Sequence, residues 1–387
     1  MHKNVRLLAL FNFFTDFHLF SAILVLYFAH ISGSYILAMS LYSITMVSSA
    51  LFEIPTGIFS DFIGRKKTLI LGALFSLLSH TFYAIGINYT ILLIGALFEG
   101  MQRAWYSGNN DALLYESMAE NNQQHEYETY LGKTSAMFQV ATALGVVIGA
   151  FLANWSFAIV MWLSVIPQII CFIIALFVVE PKRKTTQTTN VYKHLTSSAF
   201  KLWNNKKLRL LSITNIVGYA IGESSYQFRS AFVNTLWPIW AVGIASMLSS
   251  IGAAISYWFS GKLIKRFKAL TILLVDNIYS KIINLIFLSF PSMVSPLFMT
   301  STSLFFGVSE VASSTLMQQE FSDNERATLG SISSFAGSIM FGVFAILLGY
   351  MADHIGPAKA LLVAYTLSLP TVYLYYKLFR HHQPSKS

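Results

Sequence analysis

Charge is what this sequence has least of. Charged residues make up 11% of the 387 positions and apolar residues 55%, whereas a soluble domain is about 25% charged. Phenylalanine alone, at 32, outnumbers the 17 acids. So few charges cannot cover a surface in water, so lipid must solvate most of this chain. The single cysteine, Cys171, excludes an intrachain disulfide and a cysteine-based metal cluster. There is also no nucleotide loop, no metal-ligand pair on one helix and no Ser/His/Asp grouping at a shared depth. No enzyme, cofactor or metal is therefore expected. The first apolar stretch is too long for a cleavable leader, contains Asn12 and Asp16, and is followed by no small-residue cleavage site.

What is present is a series of long apolar runs. About 20 such residues cross a hydrocarbon core of about 30 Å. Twelve are expected: 5–29, 34–60, 68–87, 90–112, 132–153, 157–179, 208–228, 232–260, 268–290, 294–317, 328–352 and 357–378. With the amino terminus inside, 22 of the 26 Lys and Arg residues fall on the cytoplasmic side. This is the bias that sets membrane orientation. Only Arg229 and Lys359 fall near the outer face, and Arg103 and Lys281 fall within spans. The net charge of +9 is thus topological, and nucleic acid is not an expected partner.

Residues 180–207 interrupt the pattern. Glu180-Pro181 closes the sixth span. Val191, Leu195, Ala199, Leu202 and Trp203 then recur at helical spacing among lysines, as in an amphipathic helix lying on the inner leaflet. The organisation expected is a six-helix bundle over 1–179, a basic linker over 180–207 and a second six-helix bundle over 208–387. A short signal recurs inside each half. Gly57, Asp61 and Gly64 precede Arg65, Lys66 and Lys67. Gly349, Asp353 and Gly356 repeat the spacing after span 11. After span 8, Tyr257 to Phe267 keeps the basic tail but not the acid. This fits three-helix repeats.

Gly57-x-x-x-Asp61-x-x-Gly64-Arg65-Lys66 resembles the signature loop between helices 2 and 3 of the major facilitator superfamily. Glu53 to Gly57 and Ser107 to Tyr115 also resemble stretches of bacterial members. The resemblance covers nearly the whole chain. It implies an all-α membrane protein of twelve transmembrane helices in two pseudo-symmetric six-helix bundles, with both termini cytoplasmic. It also implies that Asp61 latches onto the start of helix 11, here residues 323–328, and that helices 1, 4, 7 and 10 line a central cavity. Antiporters of that family often carry a basic residue early in helix 4 followed by Gln-Gly, and drug exporters a Gly-Pro pair late in helix 5. Here Glu99 precedes Arg103, and Gly145 to Ala150 lacks the proline.

Ionisable groups inside spans are rare, because each costs several kcal/mol near the midplane. Asp16 lies near the midplane of span 1 at about 1.5 Å per residue. Glu99 does so in span 4, with Arg103 one turn on and within pairing reach. Glu223 and Glu310 sit in spans 7 and 10. A desolvated carboxyl group favours its neutral form, so these acids are candidates for carrying a proton, Asp16 first. Glu99–Arg103 can equally be a structural pair. His18 and His80 are expected to make single structural hydrogen bonds, and Asp276 and Lys281 to offset each other in span 9.

Asn12, Phe17, Trp105, Tyr106, Tyr219 and Tyr226 are candidates for an aromatic, mostly apolar substrate cavity. The expectation is a monomeric secondary transporter of a small organic molecule in the bacterial inner membrane, working by alternating access as a proton-coupled exporter. The alternative is uptake of a metabolite, peptide or metal chelate such as a siderophore.

Overall fold

The computed structural model describes residues 3–120, 123, 126–181, 206–320 and 326–382. The linker helix expected within 180–207 falls outside them, as do residues 323–325 of the expected latch. Sixteen helices are present among the described residues. The first half comprises α1 (Lys3–Asp16), α2 (Leu24–Ser32), α3 (Tyr35–Ile63), α4 (Arg65–Ile85), α5 (Tyr89–Tyr106), α6 (Asn109–Ala119), α7 (Tyr127–Ala153) and α8 (Phe157–Phe177). The second comprises α9 (Lys206–Leu236), α10 (Ile239–Phe267), α11 (Ala269–Ser289), α12 (Ser295–Thr300), α13 (Ser303–Glu320), α14 (Arg326–Ile355), α15 (Pro357–Leu367) and α16 (Pro370–His382).

These helices account for twelve spans, four of them in two pieces: α1 with α2, α5 with α6, α12 with α13, and α15 with α16. Six stretches are long and apolar enough to cross a bilayer on length and composition alone: Tyr35–Glu53, Arg65–Ile85, Phe157–Phe177, Ile239–Phe267, Ala269–Ser289 and Ser331–Ile355. Among the described residues the pieces of the broken spans fall short on length or, for the 18-residue α5 and α13, on their polar content. The boundary between spans 7 and 8 differs from the sequence reading. α9 runs unbroken through Arg229 to Leu236 and stops at Trp237-Pro238. Proline removes the helical N–H and restricts the residue before it, so Pro238 marks the end that the charge at Arg229 seemed to mark.

Helix α8 shows how the chain is solvated. Its buried face carries Ser164, Gln168 and Cys171, and its exposed face carries Ile159, Trp162, Ile166, Ile169 and Ile173. That is a soluble helix turned inside out, as hydrocarbon requires.

The chain divides into two compact units, with Trp237–Met247 grouped with the first. Each unit repeats the same internal plan. In the first, Val5, Leu8, Leu69, Leu113, Leu114, Ile174 and their neighbours form a core from spans 1, 3, 4 and 6. In the second, Leu211, Leu270, Leu273, Leu316 and Leu378 form one from spans 7, 9, 10 and 12. A buried asparagine ties the same trio of spans in each. Asn4 Nδ2 donates to Ser117 Oγ and to the Val179 carbonyl at 2.9 Å, and its Oδ1 accepts from Val179 N at 3.0 Å. Asn215 Oδ1 accepts from Ser313 Oγ at 3.2 Å and Tyr375 OH at 3.1 Å.

The three-helix repeat also appears in the backbone. One residue joins α3 to α4, α10 to α11 and α14 to α15. These are Gly64 (φ 99°, ψ 158°), Lys268 (φ 64°, ψ 147°) and Gly356 (φ 83°, ψ 160°). The signature segment is therefore helix up to Ile63 and a one-residue joint, not a loop. In the second half the joint is Lys268, one helical turn later than Ile264, where the sequence alignment of the repeats put the Gly64 equivalent. Among the described residues Lys268 is the only non-glycine with positive φ. That region is essentially reserved for glycine and costs of order 1–3 kcal/mol otherwise. Lys268→Gly is expected to raise the thermal unfolding midpoint of the purified protein, and Lys268→Val to lower it. An unchanged midpoint for both would show that the joint is not strained.

Candidate functional site

The site in the first unit is built around an interruption that contains neither glycine nor proline. α1 ends at Asp16 and α2 begins at Leu24. Between them His18 N donates to the Asp16 carbonyl at 2.9 Å and Ile23 N to the Phe20 carbonyl at 2.9 Å. The last carbonyls of α1 thus lose their helical partners, and inside a membrane they must find others. α8 supplies them. Gln168 Nε2 donates to the Phe14 and Thr15 carbonyls at 3.4 and 3.5 Å, and Cys171 Sγ to the Phe11 carbonyl at 3.5 Å. Ser76 of α4 orients the amide by donating to Gln168 Oε1 at 2.7 Å. α7 closes over the same stretch. A Cβ at Gly145 would stand 2.9 Å from the His18 carbonyl oxygen, and one at Gly149 would collide with the Leu19 carbonyl. The Gly145-x-x-x-Gly149 spacing therefore serves to seat α7 on broken backbone.

This interruption places Asp16 half-buried at a helix end, within the field of the Arg103 guanidinium on α5. Arg103 is also paired one turn back on its own helix. Its Nη2 and Nε lie 2.9 and 3.2 Å from Glu99 Oε1. The Arg103 side chain is 48% exposed and that of Glu99 15%. Such a helical pair alone is worth roughly 0.5 kcal/mol. The stronger hold on Glu99 is the buried Tyr83 hydroxyl, which donates to Oε2 at 2.8 Å, a charge-assisted bond of about 1.5–3 kcal/mol. Glu99 is thus fixed by Tyr83, and Arg103, the more exposed of the pair, also acts on Asp16 through its field. Tyr83 had no signature in the sequence beyond its aromatic character.

The remaining candidates fall as follows. Asn12 and Phe17 are half-buried, and Phe17 stacks on Phe13 at 5.7 Å. Trp105 lies between Phe59 and Phe75, with ring centroids 6.5 and 6.3 Å away. Tyr106 turns inward, edge-on to Phe11 at 5.4 Å and over Gly72, so that its ring is part of the packing. In the second unit Glu223 Oε1 accepts from Gln227 Nε2 at 2.7 Å, Glu310 is exposed on α13, and Tyr219 and Tyr226 are exposed on α9. Arg229 is held within that unit, donating to the Met299 carbonyl at 3.3 Å and to Tyr365 OH at 3.2 Å. Lys281 stands 5.7 Å from the centroid of the same tyrosine ring, so the offset expected from Asp276 is shared with an aromatic face.

At the joint before α4 the side chains of Gly57 and Asp61 lie outside the described residues. The described groups form a polar clasp. Glu180, just past α8, accepts from the backbone N–H of Arg65 and Lys66 at 2.7 Å each, satisfying the first free donors of α4. Arg65 Nε lies 3.0 Å from Glu116 Oε1, its Nη1 donates to Ser60 Oγ at 2.8 Å, and Asn109 Nδ2 donates to the Arg65 carbonyl at 3.2 Å. Of these residues Ser60, Arg65 and Asn109, with Thr56, Trp105 and Gly108, line a cavity of about 270 Å³. Glu180 was legible in the sequence only as the end of a span.

The Major Facilitator Superfamily profile matches residues 6–345. The chain belongs to the major facilitator superfamily. It is a multi-pass cell-membrane transporter with an all-α fold and a role in moving a small molecule. The quinolone resistance protein NorA of Staphylococcus aureus (strain MSSA476) is 23% identical over 298 residues, covering 74% of this chain and 75% of that protein. Among solved structures, the nucleoside transporter NupG superposes with a TM-score of 0.80 at 13% identity, covering 97% of this chain and 99% of that one. A POT family transporter in complex with 5-aminolevulinic acid superposes with a TM-score of 0.74 at 11% identity, covering 99% and 97%. Those structural likenesses show the fold alone.

Two outcomes follow from this geometry. Gln168→Leu removes the side-chain donor from the Phe14 and Thr15 carbonyls, leaving Phe14 only the 3.4 Å bond from Phe17 N, and is expected to lower stability by about 1–3 kcal/mol, with faster amide exchange over residues 17–23. Unaltered exchange there would mean that Gln168 does not hold the interruption. Glu180→Gln is expected to cost about 1 kcal/mol, read as faster exchange at the Arg65 and Lys66 amides; protection equal to the native protein would remove the clasp.

Proposed function

We propose that the chain is a secondary active transporter that exports a small organic molecule in exchange for protons by alternating access. Its moving parts are the bundles 1–179 and 208–387, joined by the 180–207 linker, with both termini in the cytoplasm. It works as a monomer. The observation that carries this reading is the set formed by Asp16, Arg103 and Glu99, in which Arg103 pairs with Glu99 and acts through its field on Asp16 at a break in the first span. The surplus is one formal negative charge in a poorly hydrated place, and a proton or a cationic substrate can neutralise it equally well. Competition of the two for Asp16 is the chemistry of exchange: a substrate cation arriving from one side displaces the proton, and a proton arriving from the other displaces the substrate. Arg103, half-exposed and paired with Glu99, would respond through its field to the charge state of Asp16. Asn12, Phe17 and Trp105 of the first unit and Tyr219 and Tyr226 of the second would contact the substrate, with Glu223 and Glu310 as further proton-accepting groups. Asp61 with residues 323–328 would close the cytoplasmic side.

The similarity to a quinolone resistance protein supports efflux of an aromatic, amphiphilic molecule, and a quinolone is the natural probe. Uptake is the second reading. The helix-4 and helix-5 departures favour it, since Glu99 precedes Arg103 and the Gly145–Gly149 stretch lacks proline, and the fold is shared with a nucleoside transporter. Proteoliposomes with an imposed pH gradient separate the two by the direction in which a quinolone moves against its own gradient. Asp16→Asn is expected to reduce gradient-driven flux to the level of empty vesicles, while the protein still inserts and remains monodisperse. Native flux in that variant would remove Asp16 from the coupling.

A further inference from the structure

The broken first span brings together two histidines for which the exchange cycle has no use. His18 lies in the break, and His80 on α4 is 2% exposed. Their ring centroids are 4.9 Å apart. Phe20 covers both, 5.3 Å from His18 and 5.0 Å from His80. Each ring already employs one nitrogen. His80 Nδ1 is 2.8 Å from the Ser76 carbonyl oxygen. A carbonyl only accepts, so Nδ1 carries the proton and donates. His18 makes its ring hydrogen bond to the Thr15 backbone. What remains on each ring is Nε2. Both Nε2 atoms are buried without a hydrogen-bond partner, as is the hydroxyl of Ser79, the residue before His80. Two uncharged imidazoles thus bury two basic lone pairs side by side with no donor for either, an arrangement that costs free energy until one is supplied.

We propose that His18 and His80 form a two-imidazole proton site, in which one proton is held between their Nε2 atoms. The pair takes that proton from water. One ring becomes imidazolium and donates Nε2–H, the other accepts with its lone pair, and the site gains a single positive charge. Burial of both rings opposes that charge, and what the proton supplies against it is a donor for the orphaned lone pair. Asp16 stands two residues before His18 on the α1 side. From α5, Glu99 acts on His80 and Arg103 on His18. Tyr83 on α4 is committed to Glu99. Tyr106 of α5 and Cys171 of α8 lie nearer Asp16. α7 meets the break through Gly145 and Gly149. Of these groups Glu99 favours the charge on His80 and Arg103 opposes it on His18. The pair rests on the exchange reading only for its use in transport; its occupancy by a proton does not.

The test needs no substrate. The full-length protein is prepared in detergent with isotope-labelled histidine, and the ring nitrogens are followed by NMR from acid to alkaline pH. His18→Gln and His80→Gln assign the two rings among the nine histidines. The native pair is expected to show one coupled step, in which both Nε2 signals move at a common pH and one proton is taken up by the two rings together. Removing either ring is expected to abolish that step in the other. Signals constant over the whole range, as a neutral pair bridged by water would give, overturn the proposal. So do two rings that titrate independently of each other's replacement. Should either variant fail to fold, the native titration decides alone, because only a shared proton moves both signals in a one-proton step. Asp16→Asn keeps the two questions apart: loss of flux with the coupled step retained leaves the histidine site standing.

Discussion

A membrane-buried helix cannot stop in mid-bilayer unless something answers its last carbonyls. That constraint organises the first unit. α1 stops at Asp16, and the amide of Gln168, oriented by Ser76, donates to the carbonyls that the stop exposes. The placement of Asp16, His18 and α7 follows from that local arrangement. The break places Asp16 at a helix end, swings His18 against His80, and needs α7 to approach broken backbone, which two glycines permit. Had α1 continued, Asp16 would be one side chain on a regular helix, with no reason to sit in the field of Arg103.

The second constraint is repetition. Spans 1, 3, 4 and 6 and spans 7, 9, 10 and 12 build equivalent cores, and an asparagine ties spans 1, 4 and 6 in one unit and spans 7, 10 and 12 in the other. The same one-residue joint recurs at Gly64, Lys268 and Gly356. The repeats differ where function would have them differ. The first unit concentrates its charge around Asp16, Glu99 and Arg103, while the second ties Arg229 and Lys281 to one tyrosine.

Much of the architecture was legible because lipid imposes a simple code. Long apolar runs, scarce charge and basic residues gathered on one side identify spans, and Gly57, Asp61 and Gly64 carry the family resemblance. Asp16 and the Glu99–Arg103 pair stood out because charge is costly in hydrocarbon. What stayed hidden was set by tertiary partners. No glycine or proline announces the break at residues 17–23, since a glutamine on the sixth span makes it tolerable. Lys268 occupies a backbone conformation that its side chain disfavours, so no residue preference could reveal it. Pro238 did carry a signal, which the charge at Arg229 obscured. Glu180 and Tyr83 act through bonds to other helices, 115 and 16 residues away in sequence.

The central claim is that the interruption beside Asp16 is reached by water, for a carboxylate sealed from water cannot exchange protons. It is tested most directly by thiol accessibility. Cys171→Ser removes the only native thiol while keeping a hydroxyl donor for the Phe11 carbonyl, and Phe17→Cys then places a single thiol next to Asp16. The account predicts that a membrane-impermeant thiol reagent modifies this cysteine in intact membranes or inverted vesicles. Complete protection from both sides, in a protein that folds and inserts normally, would contradict it.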